Sequence, residues 1–276
     1  TARDSVIYTP DNSVALGLKA TVILGTDGGG LAWNGDQSLE FVFSQGGNSY
    51  NLTNINLYSR NWFLAPLPAR TNPVADVRGN GTLQISVNNF SISGYFNFTA
   101  DFKSLVQGEG TAQLLFNSNN WFVKIGTRQE PVDVHIYPLP PLPLNLAAKH
   151  YFQIDKNGIQ MGVGFHINRE KKVGIFKGEL NVDFTTEASL AYRPLRIEGS
   201  GELDGNVKAK VKALGDWHEI FNAQLLANVN FKTPNPTRVW GKIKMRYSVA
   251  GGAVKGTYKM NYSFPEGCND EGSENE

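Results

Sequence analysis

Four histidines, one cysteine and a scatter of acids are the side chains here with the chemistry for metal binding, proton transfer or nucleophilic attack. His135, His150, His166 and His218 show no His-x-x-x-His or carboxylate spacing that would set two metal ligands on one face. Cys268 stands in an acidic run ending at Glu276, with no histidine near it in sequence to raise its thiolate fraction. Asp183 with Glu187, or Glu198 with Glu202, have the residue types to flank a glycosidic bond, yet acid pairs recur on any wetted strand face. Asp27, Asp36 and Asp101 lack the one-three-five spacing of a calcium loop. Gly28-Gly29-Gly30 is followed by no helical pattern, which removes the phosphate-cradle reading, and there is no Gly-x-Ser-x-Gly elbow. The expectation is a protein without enzymatic activity, metal or cofactor.

Recognition is the chemistry that remains. Val207-Lys208-Ala209-Lys210-Val211-Lys212-Ala213 alternates strictly, so Lys208, Lys210 and Lys212 share one side of a strand. Lys242, Lys244 and Arg246 repeat the pattern, as do Lys255, Thr257, Lys259 and Asn261. Aligned cations attract phosphate or sulfate, although Lys on strands also serves as a solvated guard against aggregation. Trp62 and Trp121 are the aromatic candidates for stacking on a sugar, against the alternative of packing between sheets. Tyr247, Tyr258 and Tyr262 fall on the side away from the cations, so RNA stacking is not expected. The candidate ligand-binding set is therefore Trp62, Trp121, Lys208, Lys210 and Lys212.

Those residues need strands to hold them. Aromatic residues make up 11%, glycines number 29 and charged residues only 18%, a balance that suits strands and tight turns. Residues 1–137 read as a sandwich-like domain of short antiparallel strands, with Gly46-Gly47-Asn48 and Gly79-Asn80-Gly81 as hairpin punctuation. Arg60-Asn61-Trp62-Phe63 is echoed by Asn119-Asn120-Trp121-Phe122, a duplicated strand-and-turn unit. Residues 138–146 hold four prolines and form an extended connector. Residues 147–264 read as a long-stranded up-and-down meander, as open sheet, sandwich or barrel. Asp204-Gly205 and Gly251-Gly252 are expected there as two-residue turns, and Trp217–Leu226 is the one place for a short helix. Residues 265–276 form an acidic tail. The net charge of +1 hides an asymmetry: residues 151–264 carry 17 basic against 10 acidic side chains, whereas residues 1–150 carry 9 against 10.

The chain has no run of about 18 apolar residues for a membrane helix and no signal-peptide pattern at its start, so Thr1 is expected to begin a mature chain or a fragment. A single cysteine leaves the redox compartment open. Asn-x-Ser/Thr triplets at Asn51, Asn80, Asn89, Asn97 and Asn261 arise freely in Asn- and Thr-rich strands.

Trp121-Phe122-Val123-Lys124-Ile125-Gly126-Thr127, followed by Pro131-Val132, resembles an aromatic-hydrophobic-Ile-Gly-Thr-x-x-x-Pro signature of very large exported proteins of Bacteroidota and related bacteria. Thr233-Pro234-Asn235-Pro236 with Trp240-Gly241, then Gly251-Gly252-Ala253-Val254-Lys255-Gly256, is similar to a second segment of the same proteins, with Ala250 where Leu is usual. The resemblance implies an extracellular, multidomain β protein and supplies no catalytic residue. The expectation is a secreted or cell-surface structural or adhesive module whose partners are other subunits or further domains. Two alternatives stand beside it: a module that binds polysaccharide or another polyanion, and an outer-membrane or lipid-binding β structure. The last requires apolar bands flanked by aromatic girdles, with the Lys-rich faces turned to a lumen.

Overall fold

The computed structural model describes residues 16–26, 32–63, 77–102, 105–138, 145–234 and 237–265. They are all β, in one hydrogen-bonded antiparallel sheet. The strands are β1 (Leu16–Gly25), β2 (Trp33–Gly46), β3 (Ser49–Phe63), β4 (Val77–Ser86), β5 (Ser91–Phe102), β6 (Val106–Phe116), β7 (Trp121–Ile125) and β8 (Val132–Ile136). Longer ones follow: β9 (Asn145–Asp155), β10 (Gly158–Val173), β11 (Phe176–Tyr192), β12 (Leu195–Ala213), β13 (Asp216–Thr233), β14 (Arg238–Val249) and β15 (Val254–Phe264). Neighbours in sequence are neighbours in the sheet, except that β8 pairs with β6 and β9 while β7 also pairs with β9.

The chain divides into two compact units, Thr1–Phe98 with Gln113–Trp121, and Thr99–Ala112 with Phe122–Glu276. The Pro-rich segment 138–146 falls inside the second unit, and its residues 139–144 lie outside the described residues, as do Gly28-Gly29-Gly30 and Cys268. In the first unit β1 to β4 pair so that Leu18, Phe41, Ile55 and Ile85 line up on one side and Lys19, Glu40, Asn56 and Gln84 on the other. The Gly47-Asn48 turn joins β2 to β3, with Gly47 at φ 64°. Gly79 and Gly81, expected as a turn, instead lie within β4. A methyl at Gly79 would meet the Phe96 ring at 2.6 Å, so the glycines make room for an aromatic from β5.

In the second unit the strands are longer than their turn dipeptides suggest. Asp204-Gly205 is not a hairpin: Gly205 sits mid-strand, opposite Val182 on one side and Leu225 on the other. The two-residue alternation of Leu203, Gly205 and Val207 continues unbroken through it, and that periodicity outweighs the dipeptide. The turn is made by Leu214-Gly215, both with positive φ, at 53° and 97°. Trp217–Leu226 is part of β13 and not a helix. The β14–β15 connection takes in Ala250–Ala253 with one 3-10 turn, in place of Gly251-Gly252 alone. At the β9–β10 turn, Asp155 Oδ1 accepts from the Asn157 and Gly158 amides at 2.7 and 3.1 Å.

Few side chains are sequestered. Among the described residues Val132 is the one buried hydrophobic side chain and Asn34 the one buried polar side chain. Among the described residues, the apolar side of the sheet stays largely exposed. Phe165, Val207, Tyr258 and Phe264 are 42%, 44%, 53% and 72% exposed.

Candidate functional site: two uncovered faces of one sheet

The register from β9 to β15 places apolar side chains in continuous rows across seven strands. One row runs Phe152, Met161, Ala188, Gly199, Phe231, Val239 and Phe264. Another runs Ala148, Phe165, Phe184, Leu203, Ala227, Ile243 and Met260. Between the row of Ile159 and that of Ile167, five successive rows contain no Asp, Glu, Lys or Arg. At about 3.3 Å per residue that charge-free band is about 26 Å long in the strand direction. Arg169 and Lys171 appear on this side only beyond the band, near the β10–β11 turn. The aromatic rings on this side are spread over its length: Phe152, Phe231 and Phe264 in the row of Met161, Tyr262 in the middle row with Val163, Tyr258 in the row of Ile167, and Tyr247, Phe221 and Phe176 in successive rows beyond the band. Phe165 and Phe184 stack in the row next to the middle one, at 6.4 Å between centroids.

Glycines permit this face to carry large rings. Gly199 lies under Phe231, Gly241 under Tyr262 and Gly256 under Tyr247, each pair directly opposite across two strands. A methyl at any of the three would overlap the ring above it. The rings in turn shield backbone that glycine leaves bare.

The other side is mostly polar. Asn145, Asn168, Asn181, Asn206 and Gln224 form an amide row across five strands, in which Asn168 Nδ2 donates to Asn181 Oδ1 at 2.6 Å. Asn206 Nδ2 donates diagonally to Asn222 Oδ1 at 3.2 Å. Toward the β10–β11 turn, and beyond the charge-free band, charges interlock. Lys177 Nζ lies 2.8 Å from both Glu170 and Glu179, and Lys210 Nζ is 2.8 Å from Glu179. Hydrogen bonds from Lys177, joined by Lys172 at Glu170 and Lys210 at Glu179, hold both carboxyls below the ordinary range. The same two acids, Glu170 first, push the Lys177 ammonium up. Lys177 and Glu179 are only 15% and 19% exposed, so these charges are better covered than the phenyl rings opposite.

The alternation thus places Lys208, Lys210 and Lys212 on one side of β12, as the sequence requires, but not as a free basic row. Lys210 is neutralised by Glu179, Lys208 stands opposite Glu179 and Asn222, and Lys212 stands opposite Trp217 beside the turn. Trp62 and Trp121 belong to the first unit and the lysines to the second. Trp121 stacks on Phe116 at 6.3 Å with planes 6° apart. Trp62 stands opposite the buried Asn34. The two copies of the Asn-Trp-Phe unit do different work. Asn61 Oδ1 accepts from Trp33 Nε1 and Gln37 Nε2 within the sheet, whereas Asn117 Oδ1 caps the turn before Trp121 by accepting the Asn119 and Asn120 amides.

Asp183 and Glu187 are two steps apart on one side of β11, about 13 Å by strand rise, beyond the separations used across a glycosidic bond. Asp183 instead pairs with His166 at 2.6 Å. A cleft of about 390 Å³ opens on the polar side among Arg128, Tyr151, Glu187, Glu198, Lys232 and Trp240. Its two acids are already paired, Glu187 with Arg128 at 2.9 Å and Glu198 with Lys232 at 3.2 Å. Among the described residues no three His, Cys, Asp or Glu side chains converge on a metal-sized position, and no helix is long and apolar enough to cross a membrane.

The Ile125-Gly126-Thr127 motif is a turn device. Gly126 is buried at φ 62°, its amide donates to the Thr111 carbonyl at 2.7 Å, and Thr127 Oγ1 accepts the Glu130 amide at 2.9 Å. The chain matches no protein-family model, no curated protein and no solved structure.

Proposed function

We propose that this protein is a lipid-contacting β structure of the outer-membrane type, with the apolar side of β9–β15 against hydrocarbon and the polar side toward water. The observation that carries the reading is the charge-free band of five rows, four of them crossing seven strands, backed by a side rich in paired charges and amides. In water, so large an uncovered apolar face is an aggregation hazard; against acyl chains it is the stable arrangement. The nine residues from Ile159 to Ile167 match the span of a tilted lipid-facing strand, and Tyr258 and Tyr247 at and just beyond the Ile167 row suit an interface. Hydrocarbon tolerates no open sheet edge, so the outer sides of β1 and β15 must be met by other strands. The likeness of two segments to exported Bacteroidota proteins supports a place in the cell envelope. Flotation with preformed liposomes tests the reading: the chain refolded from denaturant should float, resist carbonate extraction and gain protease protection. A monodisperse chain that stays at the bottom of the gradient in the absence of detergent would defeat it.

The second reading is a structural or adhesive module of an extracellular assembly, its apolar side covered by another polypeptide. The outer edges of β1 and β15, which no described strand covers, favour it, since each offers a row of backbone groups for strand addition. Recovery as a stoichiometric complex that dissolves without detergent is the result that would put this reading first.

A further inference from the structure

We infer that the polar side of β12–β15 holds an anion site centred on Arg246 and Lys255, suited to multiply charged phosphate or sulfate groups. Strands β14 and β15 carry Arg238, Lys242, Lys244, Arg246, Lys255 and Lys259 on this side and no Asp or Glu on either face. Lys244 stands directly opposite Lys259, a like-charge pair that is unfavourable without a counter-ion. On its other flank Lys244 faces Leu226. The nearest acid in that row is Asp204, one strand further on, and its Oδ1 lies 3.4 Å from Gln224 Nε2 as donor. Among the described residues no carboxylate lies within 4.0 Å of Lys242, Lys244, Arg246, Lys255 or Lys259. On β10–β12, by contrast, Lys172, Lys177 and Lys210 each meet a glutamate.

Between these strands opens a cleft of about 570 Å³, lined by Asn206, Asn222, Gln224, Arg246, Ser248 and Lys255 among others. No carboxylate lines it. A guanidinium offers paired N–H groups to a tetrahedral oxyanion, an ammonium adds charge, and amides and hydroxyls complete the hydrogen bonding. Several fixed cations reinforce one another's field, so an anion of two or more charges gains most. The clustering of unpaired cations beside this cleft, with the acids kept to β10–β13, is what distinguishes a recognition surface from a merely solvated one.

The site does not depend on what covers the apolar side, and its test is made on the full chain dispersed in a neutral detergent. Titration calorimetry with inorganic pyrophosphate and, separately, a heparin hexasaccharide distinguishes a phosphate source from a sulfated glycan. Saturable binding of either, weakened at least tenfold in Arg246→Gln/Lys255→Gln and within twofold of the parent in Lys149→Gln, is expected. Circular dichroism confirms that each variant keeps its strands. Absence of saturable binding of both probes at low salt, or equal weakening by Lys149→Gln, overturns the assignment.

Discussion

The ring of Tyr262 lies over Gly241, its direct partner across the β14–β15 ladder, and its hydroxyl donates to the Asn228 carbonyl on β13 at 3.0 Å. One side chain thereby ties three strands, and it can do so only because position 241 has no Cβ. Gly241→Ala forces a methyl into the tyrosine ring and the Asn228 carbonyl, and neither backbone nor ring can yield without breaking a ladder. The expected cost is about 3 kcal/mol, at the upper end of overpacking. Gly17→Ala, with nothing within 4 Å of the new methyl, should stay within about 0.5 kcal/mol of the parent. Thermal midpoints followed by circular dichroism separate the two.

Charge placed on the two sides should act differently. Leu203→Lys puts an ammonium in the middle of the apolar band and is expected to cost about 2–4 kcal/mol of lipid insertion, seen as loss of liposome flotation. Asp204→Lys, one residue on and facing the polar side, should float as the parent does. Equal behaviour of the two would mean that lipid does not distinguish the faces.

Titration of the β10–β11 end should loosen it at both extremes, by protonation of its glutamates at low pH and deprotonation of Lys177 at high pH. Glu170 and Glu179 have carboxyls depressed in the folded state, so their contribution is full above the ordinary carboxyl value of 4.5 and disappears as pH falls through the depressed values. Lys177 is raised, so its contribution is full below 10.5 and disappears as pH rises through the raised value. Amide hydrogen exchange of residues 169–180, corrected for the intrinsic pH dependence, should show a plateau of protection between these limits. Lys177→Gln should remove the alkaline limb and shrink the acid limb, which Lys172 and Lys210 still support in part; an alkaline limb that survives must come from other groups.

Gly126→Ala is expected to cost about 2 kcal/mol, since a non-glycine residue is strained at positive φ and the added methyl would lie 2.8 Å from the Val132 amide nitrogen. Faster exchange confined to β7 and β8 is the readout, and Thr127→Val, which removes the acceptor of the Glu130 amide, should reproduce about 1 kcal/mol of it.

The side on which each residue of β10–β15 lies was legible in the sequence, because period-two alternation is local and does not depend on what the sheet packs against. Strand ends were less so. Asp204-Gly205 and Gly79-Asn80-Gly81 have turn composition, but their glycines serve facing strands, and a contact of that kind has no signature within a short window. Leu214-Gly215 escaped notice for the opposite reason, a leucine occupying a left-handed position. The fate of Lys210 was equally hidden. Its acid Glu179 sits 31 residues earlier, and only the register brings the two together. The alternation of Lys242, Lys244 and Arg246, and of Lys255 and Lys259, is visible as a pattern; that Leu226 stands between Lys244 and Asp204 follows only from the register.

Two irregularities in the ladders bear on how such a chain tolerates change in length. Between Phe221 and Glu219 the register slips past Ile220, and between Asn54 and Leu52 it slips past Thr53, whose hydroxyl donates to the Val42 carbonyl at 3.0 Å. Everywhere else in β3 and β13 a single-codon deletion would invert the facing of half a strand, sending lysines into the apolar rows and phenylalanines among the amides. At Ile220 and Thr53 the surplus residue has no partner of its own, and its removal leaves both halves in phase. Those two positions are therefore where one residue can be lost from the gene product without scrambling the sidedness of the sheet.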